Sequence, residues 1–200
     1  LGRFREPYGL VVSSVRARLA AGAVAPGEPL AINLLARDLA VSQTPVREAL
    51  ARLAGEGLIE RTPSGYAAPR LAAEDLADLY RLLGVYLEAA TVGGPAIAPD
   101  LAGDPRQALS SAFDAAVAAQ GNDALLRAYG RTRARLAPFT LREGAVLDDV
   151  EVEALRLLDQ LTDPLRRVRR AALTRYIQRR VLASRALIAA AAAPPDMGRI

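Results

Sequence analysis

The chain has 200 residues, of which 52% are apolar, and it contains neither cysteine nor histidine. That length and apolar share can bury the core of one large domain or two small ones, and the missing thiols exclude a disulfide framework. Every basic residue is arginine, and a net charge of +4 with a pI near 9.9 suits nucleic acid without demanding it. No apolar run approaches the ~18 residues of a membrane span. The opening residues show no leader pattern, so a cytoplasmic protein is the expectation. Since the chain opens at Leu1, an initiator region is expected to have been trimmed.

Tyr8, Val11, Val12, Val15 and Leu19 recur at helical spacing and predict a first helix over 8–21, ended by Gly22 and Pro26-Gly27. A short extended piece around Leu30 leads to a second helix, 33–40, with Leu34, Leu35 and Leu39 facing inward. Val41 fills the turn. A third helix starts near Ser42–Thr44, both capping residue types, and Pro45 is tolerated in a first turn whose N–H groups lack intrahelical partners. Val46, Ala49, Leu50 and Leu53 follow at i, i+3, i+4 and i+7, so this helix buries one face. Gly57 stops it. Leu58–Arg61 reads as a strand, Thr62–Gly65 as a turn and Tyr66–Ala68 as a returning strand. Three helices and a hairpin make a winged helix-turn-helix, expected to occupy residues 1–70.

Pro69-Arg70-Leu71 reads as a linker, and beyond it no strand pattern remains. Helices are expected at about 73–92, 105–120, 122–137, 148–161 and 163–192. The breaks are Gly93-Gly94-Pro95, Pro99 to Pro105, Gly121-Asn122, Gly144 and the tail Pro194-Pro195-Asp196. Residues 71–200 therefore form an all-α bundle, and the chain as a whole is mainly α.

The polar residues of the third helix carry the functional signal. Ser42, Gln43, Thr44 and Arg47 sit at its N-terminal end, off the apolar stripe. An arginine can hold guanine through O6 and N7, worth roughly 1–3 kcal/mol of discrimination, and a glutamine can pair similarly with adenine. Hydroxyls at a helix N-terminus suit phosphates. Asn33, opening the second helix, could brace the backbone. An ordinary structural role competes: Arg47 could pair with Glu48 or Asp38, and Ser/Thr caps occur on many helices.

Three segments carry a closer likeness. Ala25-Pro26-Gly27-Glu28-Pro29-Leu30, Val41-Ser42-Gln43-Thr44-Pro45-Val46-Arg47-Glu48-Ala49-Leu50 and Glu56-Gly57-Leu58-Ile59 resemble the DNA-binding domain of the GntR family of bacterial transcription regulators. The resemblance implies that Asn33, Ser42, Gln43, Thr44, Arg47 and the wing at Ser64-Gly65 contact an operator. Gln43 stands where the family usually has arginine, and the tip Pro63-Ser64-Gly65 is short and uncharged. Both departures remove positive charge, so weak nonspecific binding and a shallow salt dependence are expected.

The C-terminal half resembles the helical effector domain of the FadR-like branch, called FCD, in its shorter, VanR-like form. Leu87-Glu88, Ala112-Phe113-Asp114 to Gly121-Asn122, Glu153 to Leu161 and Ala171 to Ile177 carry that likeness. Many members hold a divalent metal through one aspartate and three histidines. Ser110, Asp114, Ala154 and Tyr176 occupy those four positions here, so that metal site is expected to be absent, and Gly84 falls where the branch usually has arginine. Ser110, Asp114 and Tyr176 are instead candidates for a metal-free effector pocket. The competing reading leaves Asp114 exposed and makes Tyr176 a core residue with a bonded hydroxyl.

Two charge clusters read as structural. Arg166, Arg167, Arg169, Arg170, Arg175, Arg179 and Arg180 flank an apolar face made by Leu165, Val168, Ala172, Tyr176 and Ile177, and are expected to be a solvated face or dimer rim rather than a second DNA patch. Asp163 and Arg167 can pair at i, i+4. Asp148, Asp149, Glu151 and Glu153 fit the positive end of a helix macrodipole. The expected protein is a homodimeric, sequence-specific regulator, a repressor by family habit, bound to double-stranded DNA at an inverted repeat and controlled by an unidentified small molecule. The alternative is an effector-independent accessory DNA-binding protein. An enzyme is not expected, because no nucleophile motif or phosphate-binding glycine loop is present.

Overall fold

The computed structural model describes residues 6–92 and 103–192. The breaks expected at Gly93-Gly94-Pro95, at Pro99 and at Pro194-Pro195-Asp196 lie outside the described residues. The first three helices are α1 (Pro7–Ala20), α2 (Ile32–Asp38) and α3 (Gln43–Gly55). The wing is β1 (Glu60–Thr62) paired antiparallel with β2 (Gly65–Ala67), Arg61 standing opposite Tyr66. Leu58 and Ile59, expected to open the strand, are instead buried core residues ahead of it. The extended piece before α2 joins the hairpin: Leu30 N–H donates to Tyr66 O at 2.8 Å, and Ala68 N–H to Glu28 O at 3.0 Å.

The apolar stripe of α3 explains why this domain holds together. Val46, Ala49, Leu50 and Leu53 are fully buried against Val11 and Val15 of α1 and Leu35 and Ala36 of α2. Each large aliphatic side chain buried this way contributes about 1.5–3 kcal/mol. Leu34 departs from expectation: it is 45% exposed, because it stands about 100° around α2 from its buried neighbour Leu35. The turn between α2 and α3 needs a left-handed residue, and Ala40 supplies it at φ 52°.

The helical region comprises α4 (Ala73–Leu87), α5 (Pro105–Ala118), α6 (Asp123–Thr140), α7 (Glu143–Val146), α8 (Val150–Leu161) and α9 (Arg166–Ala192). The final turn of the first of these is wider than α, a π turn over Glu88–Val92. Gly144 does not break the chain as expected. It lies inside α7, and the breaks fall on either side, at Leu141-Arg142 and at Leu147–Asp149. Helix α6 runs through Pro138 to Thr140, three residues past its expected end.

Helices α4 and α9 pack along each other as the spine of the bundle, and α8 lies against both α5 and α9. Gly84 eases the first contact: a Cβ there would stand 3.2 Å from Ile177 Cγ1, so any larger residue would require the Ile177 side chain to give by a few tenths of an ångström. A second core, from Leu76 to Leu187, fills the bundle, separate from that of the winged domain. Helix α1 bridges the two by touching α6. Among the described residues no helix is long and apolar enough to cross a membrane.

Candidate nucleic-acid interface and bundle cavity

The buried stripe of α3 forces its opposite face outward. Ser42, Gln43, Thr44 and Arg47 are all exposed, as are Asn33 at the start of α2 and Ser64 at the wing tip; Gly65 is half-buried. Ser42 takes the N-cap position with extended backbone, yet its hydroxyl makes no capping bond. The expected cap is therefore absent, and both that hydroxyl and the first N–H groups of α3 stay available to a phosphate. Arg47 forms neither expected ion pair. Asp38 is held by Arg18 at 3.2 Å, and the Arg47 guanidinium donates to Gln43 Oε1 at 3.4 Å, one turn back. The glutamine thus aligns the arginine along the exposed face without neutralising it.

At the wing, Gly65 has φ 136°, a conformation that a side chain would strain, and it lets β2 leave the two-residue turn Pro63-Ser64 directly. Arg61 of β1 is the basic residue nearest the tip, and it lies over the Tyr66 ring at 5.8 Å. Beneath this surface, Glu56 at the end of α3 accepts from Arg52 at 2.9 Å and from Arg16 of α1. Burial pushes the Glu56 carboxyl up, but the two guanidinium groups outweigh it and hold the group below the usual carboxylate range.

Residues 7–65 match the family of bacterial regulatory proteins named gntR. The N-terminal domain is a GntR-family DNA-binding domain. The described residues as a whole also share their fold with solved structures. E. coli McbR/YncC is 20% identical at a TM-score of 0.69, over 90% of this chain and 97% of that one. A GntR transcriptional regulator from Rhodococcus sp. RHA1 is 19% identical at 0.71, over 88% and 96%. Lar, which controls expression of the Listeria monocytogenes agr system, is 14% identical at 0.52, over 92% and 98%. No curated protein sequence matches the chain.

Behind this GntR-family domain, the bundle encloses a cavity of about 310 Å³ between α5, α6, α8 and α9. Ser110, Ala154 and Tyr176 line it together, as do Arg106, Arg133 and Arg180. Asp114 does not: it is exposed, and it reaches the cavity only through Arg133, whose Nη1 lies 2.5 Å from its Oδ1. The same guanidinium donates to Ser110 Oγ at 2.8 Å. The Tyr129 hydroxyl donates to Asp114 at 2.7 Å, and burial raises its pKa well above that of a free phenol.

Arg180 departs from the expected solvated arginine face, to which the exposed Arg166, Arg167, Arg170 and Arg175 do belong. It is 2% exposed, and it donates to Glu143 at 2.8 and 3.1 Å, to Glu153 at 2.9 Å and to Tyr176 O at 3.0 Å. Burial works against its charge, but Tyr176, Glu143 and Glu153 beside it keep its pKa above the ordinary arginine value. Tyr80 completes the shell by donating to Glu143 Oε1 at 3.0 Å. Arg169 is buried as well, donating to Asp163 O at 2.8 Å and Val92 O at 3.3 Å. Asp163 does not pair with Arg167; its carboxylate accepts from Leu165 N–H at 2.7 Å. Glu153 likewise leaves the acidic cluster at the start of α8 to face Arg180 and Arg179.

Sequence reasoning missed Arg106, Arg133, Arg180 and Glu143. A signal existed: Tyr129/Arg133 and Tyr176/Arg180 are both tyrosine–arginine pairs at i, i+4, and Arg169, Leu173, Ile177, Arg180, Ser184 and Leu187 form one helical stripe. The four positions that the FCD resemblance assigned to a metal offer a poor donor set. Ala154 has no donor atom, Asp114 is committed to Arg133, and the Tyr176 phenol is raised to about 12 by burial, so it is neutral at physiological pH. The Arg180 guanidinium carbon, 3.5 Å from the Tyr176 ring centre, puts a fixed positive charge beside them. These residues do not fit a divalent metal.

Proposed function

We propose that this chain is a homodimeric transcription regulator, acting as a repressor, whose hold on an inverted-repeat operator is set by a small molecule in the bundle cavity. The observation that carries the reading is the exposed Gln43–Arg47 pair on a helix whose other face is wholly buried. Such a helix can enter a major groove without losing its packing. Asn33, Ser42, Thr44, Ser64 and Gly65 extend the same surface and would position the backbone. The dimer reading is supported by α4 and α9, which lie side by side and leave Val85 63% and Leu182 77% exposed.

The effector is taken without metal. Arg133, held by Asp114 and Ser110, would meet an acidic group, and the Tyr176 hydroxyl, neutral and facing the cavity, would donate or accept beside it. The α1–α6 contact gives the bundle a direct mechanical hold on the winged domain. A ligand that favours one dimer geometry would change operator affinity by a coupling of about 1–3 kcal/mol.

The test is selection of genomic DNA fragments by the purified chain beside an Arg47→Ala variant. An inverted repeat recovered by the first and lost by the second is the expected result. Fragments without a shared motif, held equally by both, would overturn it in favour of an accessory DNA-binding protein.

A further inference from the structure

A second cavity, of about 160 Å³, lies where the winged domain meets the bundle. Leu19, Val24 and Leu58 form one wall, and Leu71, Pro138 and Phe139 the other. Three arginines, Arg16, Arg135 and Arg142, share this lining, and no acidic residue does. Arg16 is spent on Glu56. Arg135 is not: its Nε is buried and has no hydrogen-bond partner among the described residues. A buried donor left unsatisfied costs free energy and calls for an acceptor that the fold itself does not provide.

We propose that this cleft binds a small carboxylate with one ring or a short acyl chain. The apolar body lies between the two walls, and the carboxylate accepts from Arg135, with Arg142 beside it. Apolar walls around arginine side chains that include an unsatisfied buried Nε select an amphipathic anion over both a sugar and a neutral hydrocarbon, because only the anion satisfies both the walls and the charge. A space of this size holds about one benzene ring. The site is separate from the bundle cavity and acts differently. Its walls come from two domains, so a bound acid fixes the angle at which the winged domain leaves the bundle.

Calorimetric titration of the full chain at fixed ionic strength tests this with sodium benzoate and sodium octanoate, each beside its neutral counterpart, benzyl alcohol or 1-octanol. One of the acids should saturate a single site per chain, and the acid that binds tells ring from acyl chain. The neutral partner, and the acid with an Arg135→Met variant, should each bind at least about tenfold weaker, a loss of about 1.4 kcal/mol. Arg127→Met, at an exposed arginine of α6 outside the cleft lining, should leave binding unchanged. Ala134→Leu fills the cleft without touching a charge, and it should block binding even if the Arg135 variant fails to fold. The proposal is overturned if neither acid saturates, if the neutral compounds bind equally well, or if binding survives Ala134→Leu.

Discussion

Replacing Arg180 by methionine should unfold the bundle far more readily than any loss of apolar contact would explain. The side chain makes two bonds to Glu143, one to Glu153 and one to Tyr176 O, and it covers the Tyr176 ring. Methionine keeps most of the volume. It leaves the Glu143 carboxylate, 4% exposed, with only the Tyr80 hydroxyl among these partners. Breaking a buried ion pair from one side costs about 3–5 kcal/mol, because an uncompensated charge stays inside. Glu153 suffers less, since it is partly exposed and keeps Arg179 at 3.4 Å. The double variant Arg180→Met/Glu143→Gln removes the stranded charge and should recover most of the loss, giving a coupling of at least about 2 kcal/mol. Urea unfolding at neutral pH, followed by far-UV circular dichroism, measures both. Protein concentration must be held constant, because the stability of the proposed dimer would depend on it. A single-variant cost below about 1 kcal/mol, or strictly additive effects, would refute the buried-pair reasoning.

Three further outcomes follow from the winged domain. Gln43→Arg adds a cation to the exposed face of α3 and should steepen the log–log salt dependence of DNA binding by about 0.9, read by fluorescence anisotropy across a salt series; an unchanged slope would place position 43 away from phosphate. Glu56 is held below its ordinary value of about 4.3, so its contribution to stability is present above that pH and is lost as pH falls through the depressed value. Glu56→Gln should therefore flatten the acid side of the stability profile measured by thermal unfolding, and a parallel profile would count against it. Ala40 sits at φ 52°, so Ala40→Gly should raise stability by up to about 1 kcal/mol in the same assay, whereas strain held elsewhere would leave it unchanged or lower.

Much of this was written in local spacing. Val46, Ala49, Leu50 and Leu53 named the buried face of α3, and by subtraction its exposed face, because a helix repeats every 3.6 residues whatever surrounds it. Gly57, Gly65 and Pro26-Gly27 marked the turns through backbone demands of their own. Leu34 was misread because periodicity shows which residues can share a face, not how much of that face a neighbour covers.

The sequence by itself determined most of the helices, the wing and the exposed polar face of α3, since each depends on contacts within a few turns of one segment. Only the tertiary structure decided the fate of the charges. Arg180 and Arg179 stand one residue apart on α9, but Arg180 meets Glu143, 37 residues away, and is sealed inside. Asp114 aligned with a pocket position, yet the residue facing the cavity is Arg133, 19 residues along the chain and one helix over. The cleft around Arg135 exists only because two domains meet there. Burial and pairing of a long charged side chain depend on what other elements bring within about 3 Å of its tip, and no spacing along a single helix encodes that.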